Sequence, residues 1–374
     1  MRLQLRRARD RVAGLAALLV AAAPGAAPPA RADNHVTVRG AYFRETSTRV
    51  VQPVVEVAGD LPGGFDLTAQ YLLDAITSAS VAAGTSADSI FTEVRNEVGL
   101  VGGWTGTRSR LSLRYRYSAE SDYWSHGVAA GGALRLWGDS ATLAGTLGAN
   151  FDGAWPRTRT PDCPDALQRI CRLRTYFFGF GYTQVWSPTL VTQLDLEVSY
   201  LDGFQASLYR AVPNLGPEVL PTTRLRAVVA PRVAYYLPRT RTGLQLHYRY
   251  YRDDWSVSAH MVEGRVYQDL TRDLELRASY RYYSQTPADF WCDWMKRPDC
   301  YGQGATVYTG DPKLQHVGTS MPELKLVWDA TRWRGVPFFA WFAEGSFEIS
   351  YARLIQNTVF GDAHLLQMGY TLPY

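Results

Sequence analysis

The chain has 374 residues, with 39 Lys and Arg against 35 Asp and Glu, 23 tyrosines and 32 glycines. Six of the basic residues and one acid lie in Met1–Ala32, so residues 33–374 carry 33 against 34, a charge of −1, and lack the clustered basic excess of a nucleic-acid binder. Beyond Asp33 there is neither an apolar run of the ~18 residues that a membrane helix needs nor a helix-length amphipathic pattern, which excludes a helical membrane protein and a helical bundle.

In chain order, Met1–Ala32 reads as a secretory signal peptide. Arg2, Arg6, Arg7, Arg9 and Arg11 precede the small apolar run Val12–Ala23, and Ala30-Arg31-Ala32 supplies a small-x-small cleavage site. The residues after Arg6-Arg7 are not apolar, so the general secretory route is favoured over twin-arginine export. Residues 33–374 then form one domain with no linker.

Strands are predicted at about 35–45, 49–59, 64–75, 91–103, 107–119, 123–137, 140–152 and 173–186, then at 189–202, 223–237, 241–253, 256–270, 273–286, 320–331, 337–354 and 361–374. Residues 107–122 show the pattern most fully. Arg108, Arg110, Ser112, Arg114, Arg116, Ser118 and Glu120 share one parity, and Leu111, Leu113, Tyr115 and Tyr117 the other. Successive side chains of a strand point to opposite faces, so one face is ionic and the other oily. Leu194 to Tyr200, Leu244 to Tyr250 and Leu274 to Tyr282 repeat the alternation. Roughly ten-residue strands of this kind define an all-β transmembrane antiparallel barrel of about 16 strands, with lipid outside and a polar lumen. That architecture places the protein in the bacterial outer membrane, against lipid and lipopolysaccharide.

Short connections at 60–64, 105–107, 137–140, 187–188, 238–240, 271–273 and 332–335 alternate with a set that includes the long segments 76–89, 153–172, 202–222 and 286–318. The former are expected as periplasmic turns and the latter as extracellular loops. His364, Leu366, Met368, Tyr370, Leu372 and Tyr374 share a parity and end on an aromatic, resembling the terminal strand read by the outer-membrane assembly machinery. Trp104, Trp137, Trp186, Trp328 and Trp333 beside the short turns, with Tyr117, Tyr200, Tyr250 and Tyr282 near the other strand ends, are expected to form two interfacial girdles. Pro53 and Pro231 fall on the lipid parity within strands, where local bulges are expected.

Cys163 and Cys171, and Cys292 and Cys300, are two equally spaced pairs within long outside loops. Three connectivities are open, and two loop-local disulfides are the natural reading in an oxidising compartment. Neither pair has the close spacing or neighbouring histidine of a zinc site.

The inward parity carries Glu93, Arg95, Glu97, the row Arg108, Arg110, Arg114 and Arg116, then Arg224, Arg226, His247, Arg249, Arg277 and Arg281. These either pair across the lumen and hold water or a folded-in loop, or form a selectivity lining with a transverse field. Asp74, Glu120, Asp122, Asp253, Asp254, His260, Gln285 and Asp289 should gather round the mouth, as a solvated rim or as oxygen ligands for a divalent cation. No metal or cofactor is specified beyond that. Acid–base residues such as Asp253-Asp254 with His260, or Asp122 with His126, show no Ser–His–acid constellation, and an enzyme is not the favoured reading.

An ordered series of short motifs runs through the chain: Asp74 to Ser80, Glu93-x-Arg95-x-Glu97, Ser118-x-Glu120-x-Asp122-Tyr123-x-Ser125, Tyr209-Arg210, Pro217-Glu218 and Arg224-x-Arg226. It continues with Tyr248 to Trp255, His260-x-x-Glu263 and Arg281 to Phe290. In that order they resemble the bacterial outer-membrane family known as domain of unknown function thirty-five seventy. The resemblance implies an outer-membrane location, and a gene neighbourhood with a small lipoprotein and a flavin transferase, hence service to an extracytoplasmic redox system. It brings no catalytic residue, and the cysteine loops are not part of the shared pattern. The expected role is a restricted channel or transporter for a small polar solute or metal ion, with a non-conducting scaffold for a periplasmic lipoprotein or redox partner as the alternative.

Overall fold

The computed structural model describes residues 34–374 apart from 47, 80–89, 156–162, 164–169, 208, 209, 213, 294, 295, 298, 299, 303, 334 and 336–343. The signal-peptide reading of Met1–Ala32 lies outside them, as does the start expected for a strand at 337.

The alternating segments form strands β1 (His35–Arg44), β2 (Thr48–Leu61), β3 (Phe65–Ala79), β4 (Ile90–Thr105), β5 (Ser109–Ala119), β6 (Tyr123–Leu136), β7 (Ala141–Ala154), β8 (Cys171–Ser187) and β9 (Leu190–Gly203). A two-residue ladder, β10 (Ala211–Val212) with β11 (Gly216–Pro217), interrupts the following loop. The wall resumes with β12 (Thr223–Leu237), β13 (Thr242–Asp253), β14 (Ser258–Asp269), β15 (Leu274–Gln285), β16 (Val317–Asp329), β17 (Ser346–Gln356) and β18 (Ala363–Pro373). Sixteen of these strands make one closed barrel, each antiparallel to its neighbours, and β1 pairs with β18 to seal it. Closure leaves no unpaired edge, as a wall in hydrocarbon requires.

Parity settles which face meets lipid. Leu111, Leu113, Tyr115 and Tyr117 of β5 are exposed outside, Leu113 to 70%, whereas Arg110, Ser112 and Ser118 are buried on the inner side. The same outward band includes Val55, Leu147, Phe178, Val198, Leu246, Leu324 and Met368. Trp137 and Trp186 stand exposed at the periplasmic turns, and Tyr117, Tyr200 and Tyr282 at the other ends. Trp328 stacks on Phe347, with ring centroids 5.6 Å apart.

The prolines do not bulge the wall. Val51 faces Ala75 and Val54 faces Leu72, so β2 and β3 keep one register past Pro53. β12 and β13 likewise keep register from Val229 opposite Tyr250 to Arg232 opposite His247, past Pro231. A proline on the lipid side removes ladder donors without adding a residue. The register shift that does occur is in β8 between Val185 and Ser187, at the girdle residue Trp186.

The β16–β17 connection also differs from expectation. Glu344 and Gly345, expected inside a strand over 337–354, form a turn and a bend, and β17 begins at Ser346.

Apolar packing is confined to small clusters at the barrel ends. The largest joins Leu220, Trp255, Val257, Ala288 and Leu314, with Tyr251, Phe290 and Trp291 against it.

Candidate functional site

Inside the barrel most charges are matched. Near the periplasmic end the Arg110 guanidinium donates from Nη1 to Asp66 Oδ2 at 2.7 Å and from Nη2 to Asp66 Oδ1 at 2.9 Å. Asp74 accepts from Arg95 and from Gln52. Arg116 lies 3.6 Å from Glu97, and Arg249 donates to Glu197 at 3.0 Å. Glu263 gathers Arg265 at 2.9 Å, Arg281 at 3.3 Å and His247 at 3.9 Å. Arg277 pairs with Glu275 beside the Tyr267 ring. Glu93 turns to the rim, where it accepts from the amide and hydroxyl of Ser121.

Against this background two arginines differ. Arg114 and Arg226, on β5 and β12, make no ion pair among the described residues; the buried Nε of Arg226 lacks a hydrogen-bond partner, as do those of the paired Arg95, Arg110 and Arg281. Both line one chamber of about 480 Å³, together with Arg116 and Arg249. Its floor is made of small residues, including Gly127, Ala129 and Gly131 of β6 and Gly179 of β8, and Phe177 and Tyr251 supply ring faces. The Phe177 ring fits because Gly148 of β7 has no side chain; a Cβ there would lie 2.4 Å from Phe177 Cζ. The chamber thus sets four guanidinium groups and the Glu197 carboxylate among small residues.

Arg108 does not belong to this lining. It sits exposed in the turn before β5, where its carbonyl accepts from the Arg135 amide at 2.7 Å, so the inward row starts at Arg110. Phe177 escaped sequence reading because Tyr176, Phe178 and Phe180 surround it and β8 is aromatic on both parities.

The residues expected at the mouth do not form a ring. Asp74 is a wall residue paired to Arg95. Asp253 is buried, bound by Arg224 and by the Tyr251 hydroxyl at 2.6 Å, and accepts from the amides of Trp255 and Val257 at 3.1 and 2.9 Å, closing the β13–β14 turn. Arg224 also lies 4.0 Å over the Trp255 ring. Asp122 is buried in the β5–β6 turn, where its carbonyl accepts from the Trp155 amide at 2.8 Å. Burial raises Glu120 above the usual carboxylate range, with Glu93 and Asp122 adding to the effect and Arg95 opposing it. Asp254 is exposed, and Asp289 accepts from the Ser256 hydroxyl. His260 faces outward beside Tyr250, with Nδ1 2.7 Å from the Tyr248 hydroxyl. It shares parity with Val262 and Val266, so it and Asp253 stand on opposite faces of the wall. Among the described residues no three His, Cys, Asp or Glu side chains converge as metal ligands.

Over the β12–β15 side of the mouth lies a cap built from two long loops. Val219 bridges Tyr308, Trp291 bridges Thr309, and the Tyr308 hydroxyl donates to Leu215 O at 3.2 Å. The fully buried Glu218 accepts from Thr309 Oγ1 and the Ser207 amide, each at 2.6 Å, and from Arg210 at 3.2 Å; Arg210 also reaches Asp311 at 3.0 Å. Gln285, at the extracellular end of β15, donates to the carbonyls of Lys313 and Gln315 at 2.8 and 2.9 Å. Those bonds hold Lys313 and Leu314 over the inward faces of Arg224, Arg249 and Tyr283, which share a second recess of about 240 Å³. Disulfides Cys292–Cys300 and Cys163–Cys171 brace the outside, the latter tying its loop to the first residue of β8 rather than closing within the loop.

A closed sixteen-strand wall, oily outside and ionic within, with its long loops at one end, is a bacterial outer-membrane β-barrel. Residues 77–332 match the family described as protein of unknown function (DUF3570), and the chain belongs to it. Among curated proteins none matches the sequence. Solved structures share the architecture at low identity. A bacterial polysaccharide outer membrane secretin is 8% identical, with 92% of this chain and 99% of that one covered and a TM-score of 0.50. OccK1 of Pseudomonas aeruginosa is 9% identical over 91% and 98%, at 0.46, and OprD of the same organism 11% identical over 92% and 95%, at 0.45.

Proposed function

We propose that the barrel is a restricted, non-enzymatic channel for a small anionic solute, which pauses in the arginine chamber on its way through. The observation that supports this most is the pair Arg114 and Arg226, left without carboxylate partners on a wall where their neighbours are matched. A carboxylate or phosphate on the solute would complete them and exchange water for charge-assisted hydrogen bonds. The cap seats Lys313 and Leu314 against the recess of Arg224, Arg249 and Tyr283 on the β12–β15 side, and in this reading it narrows the route above the chamber. The donor sets present favour an organic or inorganic anion over a metal ion.

Planar bilayers test the reading. The wild-type protein should conduct with anion selectivity, and Arg114→Gln with Arg226→Gln should move the reversal potential towards that of a neutral pore. Absence of conductance, or cation selectivity, would remove it. The cap also supports a second reading, a scaffold that presents a rigid outer surface to an external ligand or holds a periplasmic redox lipoprotein below. A non-conducting barrel that crosslinks to one partner in native membranes would favour that alternative.

A further inference from the structure

The outward face carries a feature that neither the lumen nor the cap uses. At the extracellular ends of four adjacent strands, Arg49 of β2 stands opposite Arg44 of β1, Arg44 opposite His364 of β18, and His364 opposite Arg353 of β17. All four belong to the lipid-facing parity. The next outward residues down the same strands are Val51, Tyr42, Leu366 and Tyr351, again in register with one another, and Val51 and Tyr351 are exposed. A basic row therefore lies directly above an apolar and aromatic one, at the level where hydrocarbon gives way to headgroups.

Directly opposed like charges destabilise a sheet, and their Cβ atoms lie only about 5 Å apart. Asp362 relieves one end by accepting from Arg353 at 2.8 Å. Among the described residues Arg44 and Arg49 have no carboxylate partner. The Tyr351 hydroxyl, 2.7 Å from Nδ1 of His364, orients that ring and leaves Nε2 for an outside acceptor. Such a row is stable when an anion sits against it, and the anion available at that depth belongs to the outer-leaflet lipid.

We infer that the row Arg49, Arg44, His364 and Arg353 is a docking site for the phosphate groups of a phosphorylated glycolipid of the outer leaflet. Its acyl chains lie along the apolar row below and its phosphates engage the guanidinium groups, in the geometry in which arginine pairs with phosphate. The site depends on the membrane orientation of the barrel and not on conductance.

The test measures binding of bis-phosphorylated lipid A to the detergent-solubilised barrel, with native mass spectrometry as readout and heat-modifiable gel migration as the check on folding. Arg44→Gln with Arg49→Gln should weaken retention about tenfold, each lost contact being partly exposed. Arg44→Lys with Arg49→Lys, which keeps the charge, should retain most of it. Lipid A stripped of phosphate should bind no better than the glutamine variant. A charge-matched control, Arg174→Gln with Arg252→Gln on other strands, should bind as wild type, and the Arg44/Arg49 variants should keep wild-type conductance. Equal binding of dephosphorylated lipid, equal loss in the control, or displacement by inorganic phosphate at the same concentration would each overturn the assignment, the last by showing a free-anion site.

Discussion

Arg110 and Asp66 form a two-pronged ion pair across β5 and β3 through the intervening β4, and Gly103 of β4 leaves room for it. A Cβ on Gly103 would lie 2.5 Å from Asp66 Oδ1 and 2.6 Å from Arg110 Nη2. Asp66 is only 3% exposed and Arg110 8%, so neither charge is relieved by lumen water. Removing one partner strands the other, which costs about 3–5 kcal/mol. Asp66→Ala and Gly103→Val should each lower the urea midpoint of the barrel, followed by heat-modifiable migration. Replacing both ionic partners by Leu should recover much of the loss, because an apolar pair of similar volume leaves no uncompensated charge.

The cap should respond to pH through Glu218. Burial raises its carboxyl above the ordinary 4.5, against the opposing pull of Arg210, Thr309 and the Ser207 amide. A folded-state value above the unfolded one means that the folded cap binds the proton more tightly. Its contribution is therefore fully present below about pH 4.5 and is lost as pH rises through the folded value. Hydrogen-exchange protection of segments 204–222 and 304–316, taken relative to the intrinsic rate at each pH, should be greater at pH 4 than at pH 7, and Glu218→Gln should flatten that difference while keeping an acceptor for Thr309. Equal protection at both pH values in the wild type would contradict it.

Reduction should act on the loops and leave the wall intact. Cys292–Cys300 closes a short loop whose ends Tyr301 also ties, its hydroxyl accepting from the Cys292 and Thr309 amides at 3.0 Å. A link of this length contributes about 2–3 kcal/mol of local stability. Cys292→Ser with Cys300→Ser should speed proteolysis within 286–316 several-fold, with no change in heat-modifiable migration. The Cys163–Cys171 link ends on buried Cys171 at the start of β8, and its loss should loosen the junction with Phe204 in the same assay.

The wall was legible because lipid outside and water inside force a period of two on every strand, and Leu111 to Tyr117 against Arg110 to Arg116 writes that period plainly. The same rule would have placed His260 outside, since it alternates with Val262 and Val266; proximity to a strand end was a poorer guide than parity. Arg108 shows the converse limit, where parity continues one residue before the strand, into an exposed turn. The cap was not legible at all. Glu218 and Thr309 meet across 91 residues of sequence, in loops with no periodicity, and only folding brings the acid to its hydroxyl. The chamber lay between these extremes, since its arginines could be read while the glycines that make room for Phe177 gave no sign of their purpose.

Gln285 connects the cap to the bore. Its side-chain amide donates to the carbonyls of Lys313 and Gln315, and its oxygen accepts from the Tyr283 hydroxyl, so one buried residue fixes the tip of a long loop over the extracellular ends of β12 to β15. Gln285→Ala removes both loop contacts at once and leaves two carbonyls to find water, which the mouth supplies. The loop tip should then swing away from Arg224 and Arg249. If the cap is the narrowing on the route to the arginine chamber, single-channel conductance should rise about twofold while anion selectivity, set deeper by Arg114 and Arg226, stays as in the wild type. A Gln285→Ala barrel with increased proteolysis at 304–316 but unchanged conductance would place the narrowest point below the cap, beside Phe177.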